Sequence, residues 1–151
     1  MSKSSSTGAG ARTRARELMV QALYQKQIAG HTTSELIAQY RDDTAYQRVD
    51  QEFFDELFPL ISDGQGDLEN KIDGLIDRPL EQLDPIELSI LMIGVHELEA
   101  RIDIPYKVVI NESVNLAKRF GAQDGHKYIN ACLDVAAKSL REIEVQAQTS
   151  G

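Results

Sequence analysis

Residues 84–102 have the sequence DPIELSILMIGVHELEARI, and this stretch organises the expected fold. Asp84 is a favourable helix cap, Pro85 suits the first helical position, and Glu87 places a carboxylate in the first turn, so a strong helix start is predicted here. The apolar residues fall on two stripes. One stripe is Leu83, Ile86, Ile90 and Ile93, and the other is Leu88, Leu91, Val95, Leu98 and Ile102. A helix that is apolar on two sides is packed from two sides, which predicts a central helix flanked by N-terminal helices and by C-terminal helices.

Four helices are predicted before the central one. The first runs from about residue 15 to 28 and is stopped by Gly30, and the second begins with the capping-box pattern of residues 32–35. The third is capped by Asp50, and the fourth follows the turn at residues 63–66. Each has apolar residues at helical spacing, so each is expected to bury one face.

Two helices are predicted after the central one. Asp103 and Pro105 open the sixth, and Gly121 closes it as an expected left-handed cap. Asp124 caps the seventh. The apolar stripe of the seventh is Ile129, Cys132, Leu133, Ala136, Leu140 and Ile143. Because helical signals outweigh the strand propensity of residues 107–110, the predicted fold class is all-α, with about seven helices.

The chain has 151 residues and 42% hydrophobic content, enough for one domain with a core. Its net charge of -8 argues against binding nucleic acid with the whole surface, so any such site must be a local basic patch. The first 16 residues supply one, with Lys3 and three arginines and no acidic residue. We expect residues 1–10 to form a disordered tail, residues 11–145 one all-helical domain, and residues 146–151 a frayed end.

Several classes of chemistry lack the residues that they need. A single cysteine cannot form an intrachain disulfide or a thiolate zinc cluster, which favours a cytoplasmic setting, and Cys132 is assigned to the core. The three histidines form no metal-binding pair, and the glycines near Lys127 do not have Walker spacing. No stretch is apolar enough for a membrane span or a signal peptide. We therefore predict no catalytic residue, no metal, no cofactor and no membrane association.

Cations and aromatic rings coincide in two places. One is the arginine arm, Arg12, Arg14 and Arg16, with Tyr24 further along the same helix, and the other is residues 118–128, KRFGAQDGHKY. This combination is typical of single-stranded RNA recognition, because cations bind phosphates and rings stack on splayed bases. Both places also have a plainer interpretation. The arginines can form a solubilising helix start, and the aromatic residues can belong partly to the core.

Two segments resemble the NusB transcription antitermination family. They are residues 12–24, RTRARELMVQALY, and residues 104–130, IPYKVVINESVNLAKRFGAQDGHKYIN. The similarity spans about residues 11–140, with Thr13 interrupting what is often a denser arginine run and Tyr128 standing where Phe is common. It implies an all-helical domain of two subdomains, each of about three helices, which agrees with a central helix packed from two sides.

The resemblance also implies partners. Family members bind a small-subunit ribosomal protein, NusE, and the pair binds the boxA element of nascent RNA. The bound pair joins RNA polymerase and suppresses premature termination, notably on ribosomal RNA operons. Some members self-associate through the RNA-binding surface, so a homodimer that excludes RNA stays open.

Position by position, the resemblance implies two sets of functional residues. The RNA-contacting set is Arg12, Arg14, Arg16, Phe120, Lys127 and Tyr128. The set that matches the protein-partner surface, or a position affecting activity of the complex, is Tyr24, Glu81, Glu87 and Asp124. Glu87 and Asp124 have a competing account as helix caps. Residues 81–103 hold six acidic residues and one arginine, which suits a basic ribosomal protein.

Three hypotheses follow. The first is a non-catalytic RNA-binding scaffold on which RNA and the ribosomal protein tighten each other's binding. The second is a protein-interaction adaptor whose arginine arm only solubilises it. The third is an accessory domain of an RNA cytosine methyltransferase, which we disfavour because the sequence after residue 145 leaves no room for a catalytic domain.

Overall fold

The computed structural model describes residues 9–150, with side chains for residues 10–148. This described part contains helices and no strand, which confirms the all-α prediction. Its eight α-helices are α1 (Ala9–Ala29), α2 (Thr33–Arg41), α3 (Gln51–Asp63), α4 (Gln65–Asp73), α5 (Pro85–Ala100), α6 (Tyr106–Phe120), α7 (Gly125–Leu140) and α8 (Glu142–Ser150), joined by short 3-10 helices at Thr44–Arg48 and Leu80–Gln82. The chain divides into an N-terminal unit ending at Gln65 and a C-terminal unit beginning at Gly66.

The two ends of the chain contain more helix than the sequence predicts. Helix α8 continues to Ser150, past the point where fraying is expected. Helix α1 begins at Ala9, inside the predicted tail of residues 1–10, and the rest of that tail lies outside the described residues.

The N-terminal unit is built on α1 and α3, with α2 and the 3-10 helix Thr44–Arg48 packed beside them. Its helix boundaries follow the predicted local chemistry. The Thr32 hydroxyl accepts from the Glu35 amide at 3.1 Å while the Glu35 carboxylate accepts from the Thr32 amide at 2.9 Å, which confirms the capping box. Gly30 ends α1 with a φ of 75°, a left-handed conformation that glycine adopts without strain.

The C-terminal unit is built on α5, α6 and α7, which pack against one another. Helix α5 is buried at nearly every position from Leu88 to Leu98, as its two apolar stripes predict. Gly94 permits this close packing. A Cβ atom there would lie 2.8 Å from Leu133 Cδ1 and 3.0 Å from Ser113 Oγ, so a larger side chain would force these two side chains to shift.

Three local predictions in the C-terminal unit are wrong. Gly121 is extended, with φ -89°, and the left-handed residue of this turn is Asp124, with φ 66°. Asp124 occupies the cap position of α7, but its side chain accepts no capping hydrogen bond. Ile143 is 85% exposed, since α7 ends at Leu140 and the stripe does not continue.

Arg141 lies at that break, and its side chain bonds to groups at several helix ends. Its side chain is buried, with Nε donating to the Leu98 carbonyl at 2.6 Å and the two terminal nitrogens donating to further carbonyls and to Glu144. The other acceptors are the carbonyls of Glu97 at 3.2 Å and Arg101 at 2.8 Å, and Glu144 Oε1 at 2.6 Å. Arg141 therefore gives the Leu98 carbonyl a donor at the end of α5, and it adds a second donor to the Glu97 and Arg101 carbonyls, which also accept backbone amides.

Glu144 extends this network to the start of α6. Its second oxygen accepts from the Tyr106 amide at 2.9 Å, which supplies the acceptor that Pro105 at the cap position cannot. Partial burial raises the pKa of Glu144, but the Tyr106 amide and Arg141 lower it further, so the net shift is downward from 4.5.

We expect this network to weaken in acid. A carboxylate whose folded pKa lies below its unfolded pKa contributes stability above the unfolded value, and that stability is lost as the pH falls through the folded value. The melting temperature should therefore drop between about pH 5 and about pH 3, and Glu144→Gln should remove part of the drop. Glu142→Gln, an exposed change on the same helix, is the control. Equal acid sensitivity in wild type and Glu144→Gln would contradict the role of Glu144.

Candidate nucleic-acid interface

The arginine arm forms the first turns of α1 and lies against the start of α3. The Asp50 amide donates to the Ala11 carbonyl at 2.9 Å, and Asp50 caps α3 by accepting from the Phe53 amide at 3.1 Å. Arg12 Nε lies 3.4 Å from Asp50 Oδ2, and its guanidinium lies 4.7 Å from the centre of the Phe53 ring. Cations at a helix N-terminus are unfavourable because that end of the helix dipole is positive. The carboxylate of Asp50 supplies a negative charge that offsets this effect.

The other two arginines of the arm differ in exposure. Arg14 is exposed, and its Nε donates to the Arg48 carbonyl at 2.8 Å. Arg16 is only 3% exposed, with its guanidinium 4.9 Å from the centre of the same Phe53 ring that Arg12 contacts. Its own cation–π contact with this buried ring holds Arg16 in the packing of the unit. Arg12, whose side chain is 41% exposed, and Arg14 are the cations of the arm that offer donors to solvent.

The turn between α6 and α7 presents a second cationic surface. Lys127 is 72% exposed, and its ammonium lies 3.5 Å from Asp124 Oδ1. An exposed pair of this kind contributes little energy, so Lys127 can exchange Asp124 for a phosphate. Phe120, at the end of α6, is half-buried, and the Arg119 guanidinium lies 5.3 Å from its ring centre. Cations and aromatic rings therefore meet at this turn, as the sequence predicts.

Tyr128 has surroundings that the sequence does not indicate. The guanidinium of Arg78 lies 4.2 Å from the centre of its ring. Its hydroxyl is buried without a hydrogen-bond partner among the described residues, near the Cys132 thiol, and burial raises the pKa of Tyr128 to about 12. Arg78 is itself exposed and bonded to Asp77 at 3.2 Å. A base that stacks on this face of Tyr128 must displace Arg78 or stack on its guanidinium plane.

The residues predicted to contact a protein partner lie in different settings. Tyr24 on α1 and Glu81 on the 3-10 helix Leu80–Gln82 are exposed. Glu87 is half-buried, and one of its oxygens would lie 2.9 Å from a Cβ atom at Gly125. Burial raises the pKa of Glu87, Asp84 adds to the rise, and Arg78 opposes it.

The two cap interpretations are wrong for the side chains concerned. Asp84 caps α5 by accepting from the Ile86 amide at 2.7 Å, and Glu87 accepts no bond from the helix-start amides in the described part of the chain. Asp124 makes no capping bond either. Loss of either carboxylate therefore does not remove a cap.

The acidic stretch of residues 81–103 is a smaller surface than its composition suggests. Glu97 is buried, Glu99 pairs with Lys71 at 2.6 Å, and Asp103 pairs with Arg101. Glu81 and Asp84 are exposed, as is Asp77 just before them. These three exposed carboxylates lie within residues 77–84, before the start of α5.

Chemistry of other kinds has no assembled site in the described residues. No group of three or more histidine, cysteine or acidic side chains is placed to hold a metal ion within residues 10–148. Cys132 is buried, and burial raises the pKa of its thiol, which is the behaviour of a core residue. None of the described helices has both the length and the apolar character that crossing a bilayer requires.

Comparison with known proteins shows the family of this chain. The model of the NusB family matches residues 13–138. The chain belongs to the NusB family. The transcription antitermination protein NusB of Pseudomonas syringae pv. tomato is 46% identical over 136 residues, which cover 90% of this chain and 82% of that protein. The protein of the same name from Hahella chejuensis is 42% identical over 139 residues, which cover 92% and 93% of the two chains.

A solved structure of NusB from T. maritima has the same fold. Its TM-score is 0.76 with 24% sequence identity, and the match covers 89% of this chain and 94% of that chain. The NusB-like fold predicted from the resemblance is therefore confirmed.

In this member of the NusB family, the predicted site residues divide between the two units. The arginine arm and Tyr24 belong to the N-terminal unit, and the remaining predicted residues belong to the C-terminal unit. The structure brings Arg12 and Arg16 together on Phe53, and it places Phe120, Lys127 and Tyr128 around the α6–α7 turn. Arg78 was missed, because it lies in an irregular segment without periodicity or a motif.

Proposed function

We propose that this chain acts in transcription antitermination as an RNA-binding scaffold. It binds single-stranded RNA of the boxA type together with the small-subunit ribosomal protein NusE, and the complex joins RNA polymerase in the cytoplasm to keep it processive on ribosomal RNA operons. The observation that carries the proposal is the exposed cation Lys127 in the same α6–α7 turn region as the rings of Phe120 and Tyr128, each of which has a guanidinium over it, in a chain of the NusB family.

The chemistry of the α6–α7 turn supports RNA as the ligand. An ammonium with little internal pairing binds phosphate, and aromatic rings stack on unpaired bases whatever their sequence. Arg78 adds a guanidinium plane over Tyr128, on which a base can stack.

The arginine arm supplies a second set of phosphate contacts. Arg12 and Arg14 carry the exposed donors, while the buried Arg16 positions the arm through Phe53. Arg16 then affects RNA binding indirectly, because it helps to position Arg12 and Arg14.

The exposed acidic group of Asp77, Glu81 and Asp84 supports a basic protein as the second partner. Tyr24 offers an exposed ring to the same class of partner, and Glu87 and Asp124 lie beside or within the turn that binds RNA. If the chain dimerises through its RNA-binding surface, added RNA should reduce the particle size in light scattering.

One observation favours a second candidate, the protein-interaction adaptor. All three arginines of the arm have partners inside the N-terminal unit, so the arm has a structural role even without RNA. RNA binding that survives removal of residues 1–16 and reversal of charge at Lys127 would show that the basic and aromatic residues coincide at the assigned site without binding RNA there.

Binding of a short boxA-type RNA tests the proposal against a scrambled RNA of the same length. Each RNA is titrated by fluorescence anisotropy with and without the purified ribosomal protein. We expect boxA to bind more tightly than the scrambled RNA and the ribosomal protein to tighten it. RNA should tighten binding of the ribosomal protein by the same factor, because the two binding steps are linked. If neither RNA binds in the presence of the ribosomal protein, the adaptor replaces the scaffold.

A further inference from the structure

A groove of about 480 Å³ lies between α6 and α7 in the C-terminal unit. Its volume is within the range of about 300–1,000 Å³ that small-ligand sites occupy. Helix α6 contributes Lys107, Ile110 and Asn111, and helix α7 contributes Lys127 and Asn130. On each helix these residues are three or four positions apart, so each helix turns one face to the groove.

The floor and the rim of the groove differ in chemistry. Ile110 on the floor is buried, which gives a flat ligand an apolar surface to cover. The two lysines and the two asparagines are exposed and carry the polar atoms of the rim. Lys127 makes only the loose pair with Asp124 described above, and Asp134 is the one acidic residue of the lining among the described residues.

These groups match the parts of a nucleotide. An asparagine amide offers a donor and an acceptor side by side, which is the pattern that reads the edge of a base in two hydrogen bonds. Two lysines at the rim can bind the phosphates on either side of that base. An acidic peptide could also use the lysines and the amides, but it would not supply the flat ring that the apolar surface of Ile110 can cover.

We propose that the α6–α7 groove is a nucleotide pocket for single-stranded RNA, in which Asn111 and Asn130 hold the edge of one base and Lys107 and Lys127 bind its flanking phosphates. The inference rests on the proposed RNA-binding function and adds a base-reading site to the stacking surface of the turn. It makes one position of the RNA more sensitive to base identity than its neighbours.

The test compares Asn111→Ala and Asn130→Ala with Asn115→Ala, an exposed asparagine on α6 that does not line the groove. With a short boxA-type RNA, each groove variant should bind about tenfold more weakly, and the control should bind as wild type does. The salt dependence should be unchanged in all three, since no charge is removed. Lys107→Gln should instead make the slope of log K against log salt shallower by about 0.7, while Lys138→Gln, an exposed change outside the groove, should not.

RNAs with a single abasic position locate the base. In wild type, one abasic position should cost at least about tenfold, and that cost should be smaller in Asn111→Ala, because this variant has already lost one of the two amides that bind the base. If wild type binds boxA and the groove variants match their controls, the groove is not a nucleotide pocket, although the scaffold function stands. If they weaken only the ribosomal protein, the groove belongs to that partner and the inference is overturned. If wild type binds no RNA even with the ribosomal protein, the proposed function and the pocket fail together.

Discussion

Replacing Arg141 with Met is expected to lower the free energy of unfolding by about 3–5 kcal/mol. Met keeps much of the side-chain volume but donates no hydrogen bond, so the carbonyls of Glu97, Leu98 and Arg101 lose this donor at a buried helix end. Glu144 would also lose its cation. The loss is large because the side chain is only 4% exposed and water cannot replace it.

Chemical denaturation followed by circular dichroism measures this change. Lys138→Met is the matched control, since it removes a cation from an exposed position on the preceding helix, and it should stay within about 0.5 kcal/mol of wild type. An Arg141→Met protein as stable as the Lys138→Met protein would show that the bonds of Arg141 to the carbonyls and to Glu144 do not stabilise the fold.

Reversing the charge of Lys127 to Glu is expected to weaken boxA RNA binding by about tenfold to hundredfold. The substitution removes a phosphate contact and adds a second carboxylate beside Asp124. It should leave the fold intact, because the Lys127 side chain is exposed and takes no part in the core.

Lys138→Glu makes the same change of net charge elsewhere on α7, so it separates local contact from overall charge. Its RNA affinity should fall by less than threefold, and both variants should melt as wild type does. Equal loss in the two variants would assign the effect to net charge and not to a site at Lys127.

The helix starts were predictable because their chemistry is local. Thr32 with Glu35, Asp50, and Asp84 with Pro85 each satisfy amides within three residues, so the sequence alone contains both partners. The burial of α5 was predictable for a related reason, since two apolar stripes on one helix demand two packed faces.

The helix ends of the C-terminal unit were not predictable, because their partners lie far along the chain. Arg141 closes α5 from beyond α7, and Glu144 supplies the acceptor for the first amide of α6. A charged residue near the polar C-terminal end of a chain normally indicates an exposed position. Arg141 is buried only because the tertiary fold packs the end of α5 against it. Gly121 was expected to be the left-handed residue because glycine is the residue that most often takes this conformation after a helix. In the structure, Asp124 takes it instead.

The sequence predicted most of the residues of the candidate site, but it did not predict where their side chains lie. The sequence brought Phe120, Lys127 and Tyr128 together because they lie within one short segment. It could not separate the buried Arg16 from the exposed Arg14, since both follow the same alternating pattern and only the position of Phe53 distinguishes them. Arg78 reaches Tyr128 from a separate segment, and the groove depends on the packing of two helices.

The most direct test of RNA binding by these cations is the salt dependence of boxA affinity in the wild-type protein, with the scrambled RNA titrated in parallel. Single-stranded RNA releases counterions in proportion to the phosphates neutralised, so log K should fall with log salt at a slope of about -2 to -3 for three or four contacts. The boxA RNA should remain the tighter ligand at every salt concentration. A slope near zero, or equal affinity for the two RNAs throughout, would contradict a sequence-selective RNA scaffold.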